Sequence, residues 1–109
     1  MADHTQLIRG ILEGCILSLL SEEESYGYRV IERLREMAFE DIQESTVYPI
    51  LTRLEKRGLL KGVRKPSRLG PPRKYYRLTK AGADELEAFA ALWSRLKDDV
   101  DMILGEVPK

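Results

Sequence analysis

The chain has 109 residues, 43% of them apolar and 33% charged, which fits one globular domain with a modest core and excludes a disordered polar chain. Net charge is zero, but residues 53–80 carry eleven basic side chains against Glu55 alone, +10, leaving seven basic and seventeen acidic, −10, elsewhere. A one-sign block inside a folded domain is the electrostatic footprint expected for a polyanion such as nucleic acid, with a merely basic surface or an acidic protein partner as the rival readings.

The longest apolar stretch, Cys15 to Leu20, runs into Glu22, Glu23 and Glu24 and falls far short of the ~20 residues of a bilayer span. The first six residues lack a secretory signal, so a cytoplasmic protein with no membrane partner is expected. Cys15 is the single cysteine and His4 the single histidine, so no intrachain disulfide, catalytic constellation, metal site or cofactor is expected. Cys15, inside an apolar helical pattern, reads as a buried small side chain.

From Gln6 to Leu20, apolar residues at Leu7, Ile8, Ile11, Leu12, Cys15, Ile16, Leu19 and Leu20 have helical spacing, and Leu17 widens the stripe. A helix apolar around so much of its girth needs burial on two sides, and a second subunit is the economical partner. A second helix is predicted from about Tyr26 to Ala38, with Tyr26, Val30, Ile31, Leu34, Met37 and Ala38 inward and Arg29, Glu32, Arg33, Arg35 and Glu36 outward. Gly27 marks either a close approach or a tolerated first-turn glycine. After the connector Phe39 to Glu44, Ser45 or Thr46 offers a hydroxyl cap for a third helix carrying Val47, Ile50, Leu51 and Leu54. With Thr46 as cap, Pro49 falls in the first turn, and Gly58 supplies the stop. The pair has the dimensions of a helix-turn-helix.

Two extended segments follow, Leu59 to Lys65 and Arg73 to Thr79, around Pro66-Ser67-Arg68-Leu69-Gly70-Pro71-Pro72. They predict a hairpin with a semi-rigid basic tip, a wing. The last helix is predicted from Thr79 or Lys80 to about Leu104, with Leu86, Phe89, Trp93, Leu96, Val100 and Ile103 at heptad spacing. Such a seam packs lengthwise on another helix, so homodimerisation through these residues and the first helix is expected. The predicted fold class is mainly α with a small β-hairpin. Residues 1–79 would form a winged helix-turn-helix domain and 80–109 a C-terminal dimerisation helix, in one compact unit.

In a helix-turn-helix the second helix enters the major groove N-terminus first. Gln43, Ser45, Thr46 and Tyr48, with Tyr26 nearby, are then candidates for base edges or phosphates. Arg53, Lys56 and Arg57 suit backbone charge, and Arg64, Lys65, Arg68, Arg73 and Lys74 suit phosphate or a minor groove. For Tyr48 and Ser45 the bland alternatives are core packing and simple capping.

The run Tyr26-Gly27-Tyr28, then Thr46-Val47-Tyr48-Pro49-Ile50-Leu51-Thr52-Arg53-Leu54-Glu55 and Gly58-Leu59-Leu60, resembles the PadR family of transcriptional regulators. The resemblance continues through Gly70-Pro71-Pro72-Arg73-Lys74-Tyr75-Tyr76-Arg77-Leu78-Thr79, Gly82 and Leu86, covering most of residues 10–90. It implies a homodimer on double-stranded DNA at a pseudo-palindromic operator, mostly a repressor released by a small molecule. The single C-terminal helix is similar to the family's short form. Trp93-Ser94-Arg95 resembles the tryptophan-bearing stretch of multidrug-sensing members. That likeness implies a small aromatic or hydrophobic effector near Ile8, Leu12, Phe89, Trp93 and Leu96. The alternative is that Trp93 fills the dimer core.

Overall fold

The computed structural model describes residues 4–105, with side chains from Ile8 onward. Leu7 and residues 106–109 of the predicted C-terminal unit lie outside the described side chains. The elements are α1 (His4–Glu22), β1 (Ser25–Tyr26), α2 (Gly27–Met37), α3 (Glu44–Lys56), β2 (Leu60–Lys65), β3 (Arg73–Leu78) and α4 (Lys80–Leu104). The architecture is mainly helical with one small antiparallel sheet, ordered β1-β3-β2.

The core lies between α1, α2, α3 and the sheet. Leu12, Ile16 and Leu17 of α1 meet Val30, Ile31 and Leu34 of α2 and Val47, Ile50, Leu51 and Leu54 of α3, with Leu59, Leu60 and Tyr76 closing the end. α1 is covered mostly by its own chain, since α2, α3, β3 and α4 all pack on it. Its wide apolar girth therefore does not by itself require a second subunit; among its described apolar residues only Ile11 and Cys15 stay half-covered. Gly14 makes the approach of α4 possible, because a Cβ there would overlap the Phe89 ring.

The third strand is a departure from the predicted two-stranded hairpin. Ser25 and Tyr26 pair with Tyr76 and Tyr75 of β3, so Tyr26 is extended and α2 begins one residue later, at Gly27. Gly27 is a close-approach glycine: a Cβ there would strike the Tyr48 ring of α3. Four residues assigned to faces of α2 differ. Ala38, expected inward, is exposed as the residue that ends the helix. Met37 is 67% exposed, beyond the end of the packed stripe. Arg33 turns back on α1, donating to the Leu19 carbonyl at 3.1 Å and to Glu22 at 3.0 Å. Arg35 folds over the helix-turn-helix turn, where Nε and Nη2 donate to the Ile42 carbonyl at 3.0 and 2.9 Å.

α3 starts earlier than its hydroxyls suggest. The cap is Gln43, extended, whose carbonyl accepts from the Thr46 and Val47 amides at 3.0 and 3.2 Å while its side chain does not cap. Ser45 and Thr46 thus lie inside the first turn, beside Glu44, whose charge favours a helix N-terminus. Pro49 is consequently in the second turn, where it leaves the Ser45 carbonyl without its usual intrahelical donor on an exposed face. The helix ends at Gly58, with φ +77°. The Leu59 amide reaches the Leu54 carbonyl and the Gly58 amide the Glu55 carbonyl, both at 3.0 Å, the paired bonds of a Schellman stop.

Thr79 fastens α4 to this stop. Its hydroxyl accepts from the Gly82 amide at 3.0 Å and donates to the Gly58 carbonyl at 2.7 Å. Leu86 and Phe89 are half-buried, and Leu86 packs against the core of its own chain rather than standing free on the seam. Beyond Phe89 every described residue of α4 is exposed. At about 1.5 Å per residue the helix accounts for most of the molecule's 52 Å length.

Candidate nucleic-acid interface

The buried set of α3, Val47, Ile50, Leu51 and Leu54, fixes which way the rest of the helix faces. Ser45, Pro49, Thr52 and Lys56 recur at four, three and four residues and form the exposed stripe opposite the core. Thr52 and Pro49 were absent from the residues predicted to meet a duplex, although helical phase counted from Ser45 reaches both. On one flank Tyr48 is 40% exposed, with its ring against Gly27. Burial, and then the Glu44 carboxylate, push its phenol above the ordinary value. Gln43 is exposed at the turn, and its amide donates to the Asp41 carbonyl at 3.1 Å.

The other flank turns toward the body of the protein. Arg53 donates through Nε and Nη2 to one Glu13 oxygen at 3.0 and 2.7 Å. Arg57 lies 3.6 Å from the other Glu13 oxygen and 3.8 Å from Glu85. Of the three basic residues predicted on this helix, Lys56 alone is on the outward stripe. The other two tie α3 to α1 and α4, through carboxylates forty and twenty-eight positions distant in the chain.

The wing ladder sets cation against cation. Lys61 opposes Arg77, Arg64 opposes Lys74 and Lys65 opposes Arg73, three of the six partners between β2 and β3. Directly opposed like charges weaken a sheet. Two of these cations are neutralised, Lys65 by Glu24 and Lys74 by Glu55 at 2.7 Å. The Glu55 hydrogen bond chiefly raises the Lys74 ammonium above its ordinary value. Arg73 lies over the Tyr26 ring at 4.4 Å, Tyr26 meets Tyr75 edge-on at 5.4 Å, and Lys65 covers Tyr75 at 5.1 Å. Among the described residues no carboxylate lies within 4.0 Å of Lys61, Arg64, Arg68, Arg73 or Arg77. Arg68 is exposed on the proline-bound tip.

The helix and the wing are contiguous. A cleft of about 420 Å³ is shared by Tyr26 and Tyr28, by Tyr48 of α3, and by Arg73, Lys74 and Tyr76 of β3. The predicted residues Tyr26, Tyr48, Arg73 and Lys74 are thus brought together, whereas Arg53 and Arg57 are drawn to the opposite flank. Among the described residues no cluster of histidine, cysteine and carboxylate groups could hold a metal ion.

A second site lies between α1 and α4. An apolar groove of about 580 Å³ is lined by Gly10, Ile11, Phe89, Leu92, Trp93 and Leu96, continuing to Val100. Of the predicted effector residues, Phe89, Trp93 and Leu96 line it. Leu12 is fully buried in the core and Ile8 is 7% exposed, and neither is in the lining; Gly10 and Ile11 take their place because the helix turns that face outward. Trp93, Leu96, Val100 and Ile103 remain exposed.

The sequence profile of the PadR-like family of transcriptional regulators matches residues 16–88. The chain is 42% identical to a PadR-like transcriptional regulator of Bacillus cereus, with a TM-score of 0.81 over 93% of this chain and 99% of that one. A PadR family regulator of Eggerthella lenta is 36% identical, with a TM-score of 0.82 over 94% of this chain and 88% of that one. An uncharacterised protein of Lysinibacillus sphaericus is 30% identical over 102 residues, 92% of this chain and 94% of that protein. With a profile match from the middle of α1 into α4 and the winged helix-turn-helix in place, the chain belongs to the PadR-like family of transcriptional regulators.

Proposed function

We propose that the protein is a homodimeric, cytoplasmic repressor that binds a pseudo-palindromic operator in double-stranded DNA and is released by a small hydrophobic or aromatic effector. The observation that carries the DNA reading is the wing ladder, where Lys61 opposes Arg77 with no described carboxylate near either, and Arg64 and Arg73 stand unpaired by any described carboxylate opposite cations that Glu55 and Glu24 already hold. A neighbouring polyanion offsets that repulsion. The stripe Ser45, Pro49, Thr52 and Lys56 would enter the major groove, and Arg64, Arg68 and Arg73 would take phosphates or a minor groove.

Dimerisation is supported by the apolar face of α4 beyond Phe89, which its own chain leaves uncovered. Packed across a two-fold axis, two such helices would bury Leu96, Val100 and Ile103 and bring two Trp93 indoles together over the grooves. A flat ligand stacked there would change the spacing of the two recognition helices.

The DNA reading is tested by binding to a labelled duplex across a salt series. Log affinity should fall by about 0.9 per log unit of salt for each phosphate contacted. Arg68→Ala with Arg73→Ala should flatten that slope; an acidic protein partner predicts no such duplex binding.

A further inference from the structure

We infer that the cleft between α1 and α3 is a clamp for a backbone phosphodiester of the duplex, on the side of the recognition helix away from the wing. The inference rests on the duplex-binding reading above. The cleft, about 350 Å³, is lined by Arg9 of α1 and by Ser45, Thr46, Pro49, Ile50 and Arg53 of α3. With Arg53 paired to Glu13, the lining offers the Arg9 guanidinium, the remaining N–H groups of Arg53 and two hydroxyls, a donor set that suits an anion rather than a cation.

Its position follows from the phase of α3. A helix of about 10–12 Å diameter fills a major groove about 12 Å wide, so its flanks face the two phosphate backbones. The Tyr48 flank leads to the wing; the Thr46 and Arg53 flank leads to Arg9. Glu13 stands behind the cleft and holds Nε and Nη2 of Arg53, which leaves Nη1 for a ligand and fixes the fork in advance. A donor ordered before binding loses less freedom when the anion arrives. Arg9 is exposed, and among the described residues no carboxylate lies within 4.0 Å of it. It sits one turn before Glu13 on α1, so with Arg53 already paired to Glu13 the Arg9 guanidinium is the cleft's charge that no described carboxylate offsets.

Phosphate chemistry could come from the duplex or from a free phosphorylated metabolite. Because Ser45 and Thr46 belong to the leading turn of the helix that enters the groove, we assign the cleft to the duplex. The test compares wild type, Arg9→Ala and Arg9→Lys in binding to a fluorescein-labelled duplex of mixed sequence across a salt series. For Arg9→Ala the slope should flatten by about 0.9 for each copy bound, and Arg9→Lys should restore it. Absence of salt-dependent binding by wild type overturns the duplex reading itself. A steep wild-type slope that Arg9→Ala leaves unchanged overturns the clamp alone. In a second arm, inorganic phosphate is titrated during thermal unfolding. Saturable stabilisation of wild type that Arg9→Ala loses, with an unchanged duplex slope, assigns the cleft to a free ligand and overturns the duplex assignment.

Discussion

Arg53 and Arg57 show how a side chain's role depends on neighbours that its own segment does not reveal. Both sit in the basic block, and local charge points them at a polyanion; Glu13 and Glu85, brought in by α1 and α4, tether both, and leave Arg53 its Nη1 free of them. Replacing Glu13 by alanine removes the shared partner. Because Arg53 and Arg57 are nearly half-exposed, the loss should be modest, about 0.5–1 kcal/mol in urea unfolding. Gly58 was legible as a stop, because a left-handed residue after a helix is most often glycine. Gly58→Ala should cost about 1 kcal/mol, and an unchanged unfolding midpoint would contradict the Schellman assignment. Burial raises the Cys15 thiol above its ordinary value. It should therefore alkylate more slowly at neutral pH than free cysteine does; an equal or faster rate would contradict its packing.

At the scale of elements, long periodic segments were readable and short ones were not. The seam of α4 and the buried set of α3 repeat over several turns, so their phase survives local noise. β1 has two residues, too few for any period, and exists only because β3 offers Tyr75 and Tyr76 as partners. The start of α3 was misplaced because Ser45 and Thr46 are good caps in isolation, while the turn closed by Arg35 sets Gln43 at the cap. The wing base makes a pH prediction. Tyr76 is raised from its ordinary 10.0 by burial, Tyr48 likewise, and Lys74 is raised from 10.5 by its bond to Glu55. A folded-state value above the unfolded one contributes stability that is complete below the unfolded pKa and is lost as pH climbs through the folded one. The urea midpoint should accordingly hold up to about pH 10 and fall above it. Tyr76→Phe should make that fall shallower. A midpoint that rises in alkali would contradict the sign.

For the whole molecule, the charge asymmetry of residues 53–80 was visible in the sequence, but its division between a wing, an outward stripe and an inward tether was not. The same holds for the C-terminal seam. Its period was plain, yet period does not separate Leu86 and Phe89, which the parent chain half-buries, from Trp93, Leu96, Val100 and Ile103, which it leaves exposed. Leu96→Glu with Val100→Glu should therefore yield a folded monomer by sedimentation equilibrium, since neither residue supports the core. Trp93→Ala should preserve the proposed dimer while losing indole quenching by flat aromatic compounds; a wild-type protein indifferent to a broad panel of them would contradict the proposed effector groove. The central claim is that one cationic face, built from α3 and the wing, is presented twice to a duplex by a symmetric pair of chains. A hydroxyl-radical footprint on genomic fragments retained by the purified protein tests it most directly. Two equivalent protected patches related by a two-fold axis, with centres about one helical turn or a whole multiple apart, are the predicted result. A single asymmetric patch, or no protection at all, would contradict it.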